Sequence, residues 1–357
     1  MRVAIVGCGN IANSHASALR NQKQTLALCV GRTLDKAEAF AKQWDVEKFS
    51  DRFEDALQAD IDCIHICTPP TLHYMMAKKA MEAGKHVVCE KPLCLDSAQA
   101  KELWELSRKA NTLAAVNYNV RYHDACQKAR KIVRSEDFGK QLLIHGSYMQ
   151  QFSLLPCDYM WRYIPEVGGK MRCVTEIGSH WFDLIRFITG LEITSVSADF
   201  GKFFPNRFLK DGMMYEEPVE GSTPLKVDSE DTATIMLRFS NGAKGVLLLS
   251  QLSHGRCNRV AFEISSARKS IWWNSEDPLK LNTANIATGI NTNVNAFAGG
   301  FPDTHASFFE QIYKALSAGE VLNSEKIPNF YDGYQNAAIC EAVYESATNN
   351  STWKDVK

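Results

Sequence analysis

The chain contains 357 residues, of which 40 are basic and 41 acidic, so its formal charge is −1. This length predicts two domains, and the balanced charge argues against a nucleic-acid partner or an anionic membrane surface. No run of about 18 apolar residues is present, so we expect no transmembrane helix, and the N-terminus is predicted to be a strand rather than a signal peptide. The eleven cysteines are scattered without the spacing of zinc ligands, which favours reduced thiols in the cytoplasm and predicts no metal site.

The first third of the chain alternates short apolar runs with amphipathic segments. The apolar runs predict strands at 3–6, 25–30, 61–67, 85–89 and 112–116. The segments between them predict helices after residue 12 and at 34–44, 71–84 and 96–110. Strands that alternate with helices through short links form a parallel sheet with helices on both faces. We therefore predict a Rossmann domain, with a doubly wound parallel sheet, over residues 1–122.

The pattern changes after Tyr122. Longer strands are predicted at 141–152, 193–203, 232–239, 243–252, 260–265, 270–274 and 279–282, with a tight hairpin at Ser240-Asn241-Gly242. Helices are predicted at 124–134, 179–189, 304–318 and 331–348, whereas 211–228 and 283–300 are predicted to be loops. Residues 123–357 are therefore expected to form an α+β domain whose large, mainly antiparallel open sheet is covered by helices on one side.

The predicted strand at 243–252 is apolar on both faces. Val246 and Leu248 share one face, and Leu247 and Leu249 share the other. A broad apolar sheet face without helices is usually buried between subunits. We therefore expect a homodimer or homotetramer formed through this sheet.

The first strand leads directly into a glycine-rich turn. Gly7, Gly9 and Ala12 match the pattern G-x-G-x-x-G/A, in which the first glycine makes the turn and the second admits a pyrophosphate. Asn10 and Ile11 open the following helix, whose amide-rich N-terminus suits phosphate groups. Because the pattern lies after a strand and before a helix, it predicts a dinucleotide cofactor rather than a purely structural turn.

The end of the second strand bears on the choice between NAD and NADP. Proteins that bind NAD place an acidic residue about 20 residues beyond the glycines, where it binds the ribose 2′-hydroxyl. This chain has Gly31-Arg32-Thr33 there, and an arginine can pair with a 2′-phosphate and stack on the adenine. We therefore expect NAD(P) as the cofactor, with NADP(H) favoured. A purely stacking Arg32 and the nearby Asp35 leave NAD open as the alternative.

Polar residues cluster where the later strands of the first domain end. Ligands of open α/β sheets bind at the carboxyl ends of the strands, so residues there are predicted to contact the cofactor. The motifs are Thr68-Pro69-Pro70 with His73 in the next helix, Glu90-Lys91-Pro92 and Asn117-Tyr118-Asn119. The predicted cofactor contacts among them are Thr68, Pro69, His73, Glu90, Lys91 and Asn119.

A second polar group lies near the predicted helix at 179–189. Glu176, His180 and Asp183 are spaced so that they share one helical face if this helix begins early. A loop lysine such as Lys91, a histidine at a helix N-terminus and an acid in a first turn all have ordinary structural explanations. The motif context decides between these explanations and catalysis.

The ordered set of motifs resembles the Gfo/Idh/MocA oxidoreductases, the family of glucose-fructose oxidoreductase and inositol dehydrogenase. The fingerprint, Thr-Pro-Pro-x-x-His, Glu-Lys-Pro and Gly-x-His-x-x-Asp occur in that order and at suitable spacing over nearly the whole chain. The resemblance implies that Lys91 and His180 lie beside the nicotinamide and the reacting carbinol. It also implies that the position of Glu176 is usually an aspartate, so this carboxylate is one methylene longer.

The segment at 158–169 is similar to a sugar-oxidising subgroup of this family. It reads Asp158-Tyr159-Met160-Trp161-Arg162 and continues to Gly168-Gly169. This similarity makes Trp161 and Arg162 candidate substrate contacts, with ordinary packing and surface roles as the alternative. Relatives in the subgroup carry His-Pro-Glu-Gly-Tyr where this chain has Phe301-Pro302-Asp303-Thr304-His305, so Asp303 and His305 receive no predicted role.

Together these features predict an NAD(P)-dependent dehydrogenase or reductase that acts on a sugar, a sugar derivative or a cyclitol bound by the second domain. His180 is the expected general base, Lys91 the cation that stabilises the alkoxide, and Glu176 an orienting group or a ligand of a second hydroxyl. Two alternatives remain open: an enzyme that cleaves glycosides by transient oxidation, and a cofactor-binding sensor without turnover. The presence of both Lys91 and His180 argues against the sensor.

Overall fold

The computed structural model describes residues 1–58, 60–295, 299–320 and 326–357. The chain divides into two compact units, Met1–Tyr122 with Gly300–Ala337 and His123–Gly299 with Ala338–Lys357. The division expected from the sequence, 1–122 and 123–357, therefore differs at one segment. Residues 300–337 return to the first unit instead of staying with the second.

The first unit is a doubly wound α/β domain, as the sequence predicts. Its strands are β1 (Arg2–Val6), β2 (Thr25–Val30), β3 (Lys48–Ser50), β4 (Cys63–Ile66), β5 (His86–Cys89) and β6 (Ala114–Val116). Its connecting helices are α1 (Asn10–Asn21), α2 (Leu34–Trp44), α3 (His73–Glu82) and α4 (Ser97–Ser107). All five pairings are parallel, in the order β3-β2-β1-β4-β5-β6. Because the strand order reverses between β1 and β4, the ligand-binding crevice of such a fold lies at their carboxyl ends.

Local sequence explains where these elements begin and end. Residues Val3–Val6 of β1 are all buried, as in a parallel strand with helices on both faces. Asp96 caps α4 by accepting the backbone N–H of Gln99 at 2.9 Å, and Gly84 follows α3 with φ at +72°. No pattern predicts the three-residue β3, since two of its residues are exposed.

The second unit contains two sheets. The strands are β7 (Gln141–Met149), β8 (Cys157–Asp158), β9 (Ile193–Gly201), β10 (Asn206–Lys210), β11 (Met213–Tyr215), β12 (Thr223–Lys226), β13 (Thr232–Phe239), β14 (Lys244–Ser250), β15 (Arg259–Ser266), β16 (Ser270–Asn274), β17 (Lys280–Asn285), β18 (Gly289–Val294) and β19 (Lys354–Asp355). Its helices include α5 (Asp124–Val133), α6 (Pro165–Gly168) and α7 (Ser179–Thr189). The large sheet has the order β18-β17-β16-β15-β7-β14-β13-β9-β19, and the small sheet β12-β10-β11-β8.

The large sheet is mainly antiparallel, as predicted, with β7 and β14 paired in parallel. The two predicted loops need correction, because 211–228 contains β11 and β12, and 283–300 contains the end of β17 and all of β18. β18 is held by backbone pairing rather than by a buried face, since five of its six residues are exposed. Residues 296–298 of the second predicted loop lie outside the described residues.

The chain returns to the first unit through α8 (Phe301–Ser317) and the start of α9 (Phe330–Ala347). The backbone N–H of Val116 in β6 donates to the carbonyl of Pro328 at 2.9 Å. Phe308, Phe309 and Ile312 of α8 are fully buried in one of the two cores of this unit. Apolar burial and strand-edge pairing therefore explain why 300–337 belong here. Across the described residues, no helix combines the length and apolarity that a membrane span requires.

Candidate active site

The turn after β1 has the geometry that its glycines predict. Gly7 has φ at +99°, and a Cβ there would lie 2.6 Å from the carbonyl oxygen of Cys67, just past β4. A side chain at this position is therefore excluded both by backbone conformation and by the close approach of two strand ends. Gly9 differs: its φ is −90°, and a Cβ there would meet no atom within 4 Å. Its backbone can thus be approached closely from outside the protein.

The N-terminus of α1 is built to receive an anion. The helix begins at Asn10, its N-cap Gly9 offers no side-chain acceptor, and its first turn, which is fully described, carries no acidic residue. The first N–H groups of a helix need an acceptor, and the helix dipole favours a negative one. Asn10 is exposed and Ile11 is partly buried. These residues fit the pyrophosphate of a dinucleotide.

The end of β2 presents an arginine. Arg32 is exposed and follows Gly31, whose Cβ would lie 2.8 Å from the backbone nitrogen of Ala37. This contact brings α2 close to β2 and leaves the Arg32 side chain outside the packed region. Asp35 is also exposed, in the first turn of α2.

His73, a predicted cofactor contact, holds two loops together. Its side chain is fully buried, with Nε2 2.8 Å from the carbonyl oxygen of Thr68 and Nδ1 2.9 Å from that of Pro92. Burial lowers the pKa of His73, so the ring is neutral near pH 7 and donates one N–H. It therefore positions the Thr68-Pro69 and Lys91-Pro92 segments, while Thr68 and Pro69 themselves remain partly exposed.

Glu90 is likewise held inside the protein. Its Oε1 accepts hydrogen bonds from His15 Nε2 at 2.9 Å and from Asn117 Nδ2 at 2.5 Å. Its Oε2 accepts the backbone N–H of Lys91 at 3.2 Å. Burial alone would raise the pKa of Glu90, but the hydrogen bonds from His15 and Asn117 and the nearby His305 lower it to about 2. Glu90 is thus a buried carboxylate beneath Lys91, which is itself partly exposed.

Asn119, another predicted cofactor contact, also links two segments of this unit. It is 1% exposed, and its Nδ2 donates to Thr304 Oγ1 at 2.7 Å. The nearby Arg121 forms a buried ion pair with Asp332 at 3.0 Å. These contacts fasten the end of β6 to the returning segment. Asp303, which received no predicted role, begins α8 by accepting the backbone N–H of Gly300 at 2.7 Å.

In the second unit, Glu176 lies in a helical turn that precedes α7, and His180 lies in the first turn of α7. A π-helical turn, Val174–Gly178, runs directly into the α-helix. Such wide turns are common at functional sites because they displace side chains from the regular helical spacing. Gly178 brings this turn against the sheet, since a Cβ there would lie 2.8 Å from Leu249 Cδ1. His180 is 5% exposed, and its ring lies 6.2 Å from that of Tyr148.

The structure brings together three predicted residues of this unit. Glu176 Oε1 forms an ion pair with Arg162 Nε, and the Arg162 guanidinium lies 4.9 Å from the ring centroid of Trp161. Glu176 Oε2 accepts a hydrogen bond from Gln251 Nε2 at 3.0 Å. All three predicted residues are partly exposed, so their polar groups can reach a ligand. The result is a paired carboxylate and guanidinium beside an aromatic face.

A buried charge network lies beneath this group. Arg172 Nη1 donates to Gln251 Oε1 at 2.9 Å, and Arg172 Nη2 lies 2.5 Å from Asp231 Oδ1. Arg207 also pairs with Asp231 at 2.9 Å. Because Gln251 accepts from Arg172 through its oxygen, its amide nitrogen is left to donate to Glu176. The network therefore fixes the orientation of the amide that holds the carboxylate.

Comparisons with known proteins agree with this geometry. Residues 1–118 match a model described as the oxidoreductase family with an NAD-binding Rossmann fold, and residues 126–271 match the GFO/IDH/MocA C-terminal domain. Levoglucosan dehydrogenase of Pseudarthrobacter phenanthrenivorans is 31% identical over 320 residues, which cover 83% of this chain and 80% of that protein. The chain belongs to the Gfo/Idh/MocA family.

Other members of the Gfo/Idh/MocA family agree in sequence and in fold. Myo-inositol 2-dehydrogenase of Thermotoga maritima is 26% identical over 249 residues, covering 69% of this chain and 67% of that protein. The structure of levoglucosan dehydrogenase in complex with NADH and levoglucosan has a TM-score of 0.90 at 26% identity, covering 100% of this chain and 99% of that one. The family and fold predicted from the ordered motifs are thereby confirmed.

Sequence reasoning missed several residues of this Gfo/Idh/MocA site. Gln251, Arg172 and Asp231 belong to no motif, and only the polar end of an otherwise alternating strand signals Gln251. His15 and His305 have no telling neighbours in the sequence, yet the structure places both within the surroundings of Glu90.

Proposed function

We propose that this protein is an NAD(P)-dependent dehydrogenase that moves a hydride between a nicotinamide and a secondary hydroxyl of a sugar, sugar derivative or cyclitol. The observation that carries the proposal is the Glu176–Arg162 pair beside Trp161, one turn from His180. Paired charges and an aromatic face suit a neutral polyol, which offers hydroxyls to the charges and C–H groups to the ring. The first unit supplies the dinucleotide turn at Gly7.

The chemistry follows from what alcohol oxidation requires. The hydroxyl proton and a hydride must leave the same CH–OH group, so a base must contact the oxygen. We assign this proton to His180, because imidazole titrates near neutral pH. We assign stabilisation of the developing alkoxide to the Lys91 ammonium, and the orientation of His180 or of a second hydroxyl to Glu176. When bound, the nicotinamide supplies hydride acceptance and donation.

Cofactor preference is a separate part of the proposal. Arg32 is exposed at the end of β2, where NAD-binding proteins carry an acid, and this supports NADP(H) as the favoured cofactor. A levoglucosan dehydrogenase of similar fold has been solved in complex with NADH and levoglucosan, so NAD is the competing outcome. Titration of both cofactors by tryptophan fluorescence decides between them. Tenfold tighter binding of NAD would overturn the preference.

We also propose that the large sheet mediates assembly. Met236, Val246 and Leu248 are 46%, 38% and 43% exposed on one face of β13 and β14, whereas Leu247 and Leu249 on the opposite face are buried. An apolar face of this kind is typical of a subunit interface. Light scattering should therefore give a homodimer or homotetramer, and Val246→Glu should shift it towards the monomer. A monomeric wild type at micromolar concentration would contradict the proposal.

A panel of sugars and cyclitols tests the function directly. Turnover is followed by the absorbance of the reduced nicotinamide, with NAD and with NADP. Net cofactor reduction by at least one neutral polyol is expected, whereas binding without turnover on any of them would favour the sensor. Release of a chromogenic aglycone with a catalytic amount of cofactor and no net reduction would favour glycoside cleavage.

A further inference from the structure

A buried chain of hydrogen bonds runs through the first unit to Glu90. Tyr313 Oη lies 2.9 Å from His65 Nε2, and His65 Nδ1 lies 2.9 Å from His15 Nδ1. His15 Nε2 in turn lies 2.9 Å from Glu90 Oε1. Both histidines are fully buried. Four buried polar side chains are thus linked in one line.

The returning helix α8 completes this chain. His305, Phe309 and Tyr313 follow each other at intervals of four residues and therefore lie on one face of the helix. The ring of Phe309 packs edge-on against His15 and His65, with centroid distances of 4.8 and 5.0 Å. The helix thereby sets the orientation of both imidazoles.

We infer one direction for the hydrogen bonds of the chain. Burial raises the pKa of Tyr313, so its hydroxyl keeps its proton, and we assign it as the donor to His65 Nε2. Burial lowers the pKa of His65, so that ring is neutral and carries its single proton on Nδ1, which donates to His15 Nδ1. His15 then donates from Nε2 to the carboxylate, which can only accept. Every donor in the chain points towards Glu90.

Asn117 holds the carboxylate from the other side. Its Nδ2 donates to Glu90 Oε1 at 2.5 Å and lies 3.1 Å from His305 Nδ1. Burial lowers the pKa of His305 to about 4, so this ring is neutral and accepts at Nδ1. Two donors therefore converge on one oxygen of Glu90 and leave the other for the next residue in the chain.

We propose that this buried chain is a positioning network for Lys91. It fixes the ionised Glu90 so that Oε2 accepts the Lys91 backbone N–H at 3.2 Å, and this contact holds the loop that carries the lysine. The inference rests on the proposed function, in which Lys91 stabilises the alkoxide. The chain begins at the buried Tyr313 and serves to orient Glu90.

Substitutions at His15 test the network. His15→Leu removes the donor to Glu90, whereas His15→Gln keeps an N–H group near the position of Nε2. We expect His15→Leu to lower kcat up to about 100-fold, as for a misplaced catalytic group, with KM and cofactor Kd changed only a few-fold. His15→Gln should restore most of kcat.

The pH profile separates positioning from general damage. His15→Leu removes a hydrogen bond that lowers the pKa of Glu90, so the carboxyl protonates more readily. Its kcat should therefore fall more steeply at acid pH than in wild type and His15→Gln, in which protonation of His180 alone gives the acid limb. The other titratable groups around Glu90 are the side chain of the adjacent Lys91, which is partly exposed, and a set of buried groups that are neutral near pH 7, with imidazole pKa values lowered and thiol pKa values raised. The buried groups are His65, His73, His305, Cys67 and Cys89.

Two further variants keep the test decisive. His86→Leu is the matched control, because His86 begins β5 at the end opposite Glu90 and accepts a hydrogen bond from the Leu113 N–H at 3.0 Å. It should lose stability but keep kcat. If His15→Leu does not fold, Asn117→Ala removes the other donor to Glu90 and should lower kcat in the same way. Equal kcat losses for His15→Leu and His15→Gln, or an unchanged kcat for His15→Leu, would overturn the network.

A spectroscopic readout is independent of any substrate. Nitrogen-15 NMR of the histidine rings should show a proton on Nε2 of His15 and on Nδ1 of His65. Protonation of His15 at Nδ1 would overturn the proposed direction of the chain. If no polyol supports turnover in the wild type, the proposed function fails, while these ring spectra still decide whether the chain exists.

Discussion

Alanine substitutions at Gly9 and Gly7 distinguish an effect on cofactor binding from an effect on folding. At Gly9, φ is −90° and the new Cβ would meet no atom within 4 Å, so Gly9→Ala should leave the free energy of unfolding within about 0.5 kcal/mol. At Gly7, φ is +99° and the Cβ would lie 2.6 Å from the Cys67 carbonyl oxygen. Gly7→Ala should therefore destabilise the protein by about 1–3 kcal/mol before any cofactor is added.

Addition of cofactor brings out the effect of Gly9→Ala. A cofactor at 100 times its Kd stabilises the native state by about 2.7 kcal/mol. If the methyl group of Gly9→Ala blocks the pyrophosphate and weakens binding about 100-fold, that stabilisation falls to about 0.4 kcal/mol at the same concentration. Urea unfolding with and without cofactor measures both quantities, and tryptophan fluorescence gives Kd independently. A folded Gly9→Ala protein with the wild-type Kd would refute the assignment of the turn to the pyrophosphate.

The remaining predictions concern catalysis, acid stability and the buried charges. His180→Ala and Lys91→Ala should each lower kcat at least about 100-fold, and the cofactor Kd of His180→Ala should change only a few-fold. Glu176→Gln should lower kcat less than either. Near-normal turnover of His180→Ala at neutral pH would disprove the assignment of His180 as the general base. The pKa of Glu90 is about 2 in the folded protein against an ordinary 4.5, which corresponds to roughly 3 kcal/mol of stabilisation of the folded state. Because the pKa is lowered on folding, this stabilisation is complete above about pH 5 and is lost as the pH falls towards 2. Acid titrations of stability should therefore be flatter in Glu90→Gln, and an unchanged slope would contradict the shift. Asp231→Asn leaves two buried guanidinium groups without their carboxylate, so it should lower the free energy of unfolding in urea by about 3–5 kcal/mol. A loss below about 1 kcal/mol would contradict this prediction.

Local sequence was sufficient for the elements whose residues carry a strong period or a clear stop. The predicted bounds of β2, α2 and α7 agree with the structure, because each has a continuous or periodic apolar pattern and a defined end, such as Gly190 after α7 at φ +75°. The turn at Gly7 was also readable from the sequence, since only glycine accepts that conformation. Ordered motifs of this kind likewise identified the family.

Other features depended on tertiary structure. The exposed strand β18 has no buried face to give it a pattern, so only its backbone pairing with β17 defines it. Tertiary packing also decides that α8 returns to the first unit. It brings Asn117 into contact with His305, which lies 188 positions further along the chain. His15 likewise acquires its role from His65 and Glu90, which lie 50 and 75 positions away. Periodicity and caps are properties of neighbouring residues, and so the sequence determines each helix and strand. The packing of those elements decides which buried polar groups meet, because a desolvated donor or acceptor needs a partner wherever the fold brings one.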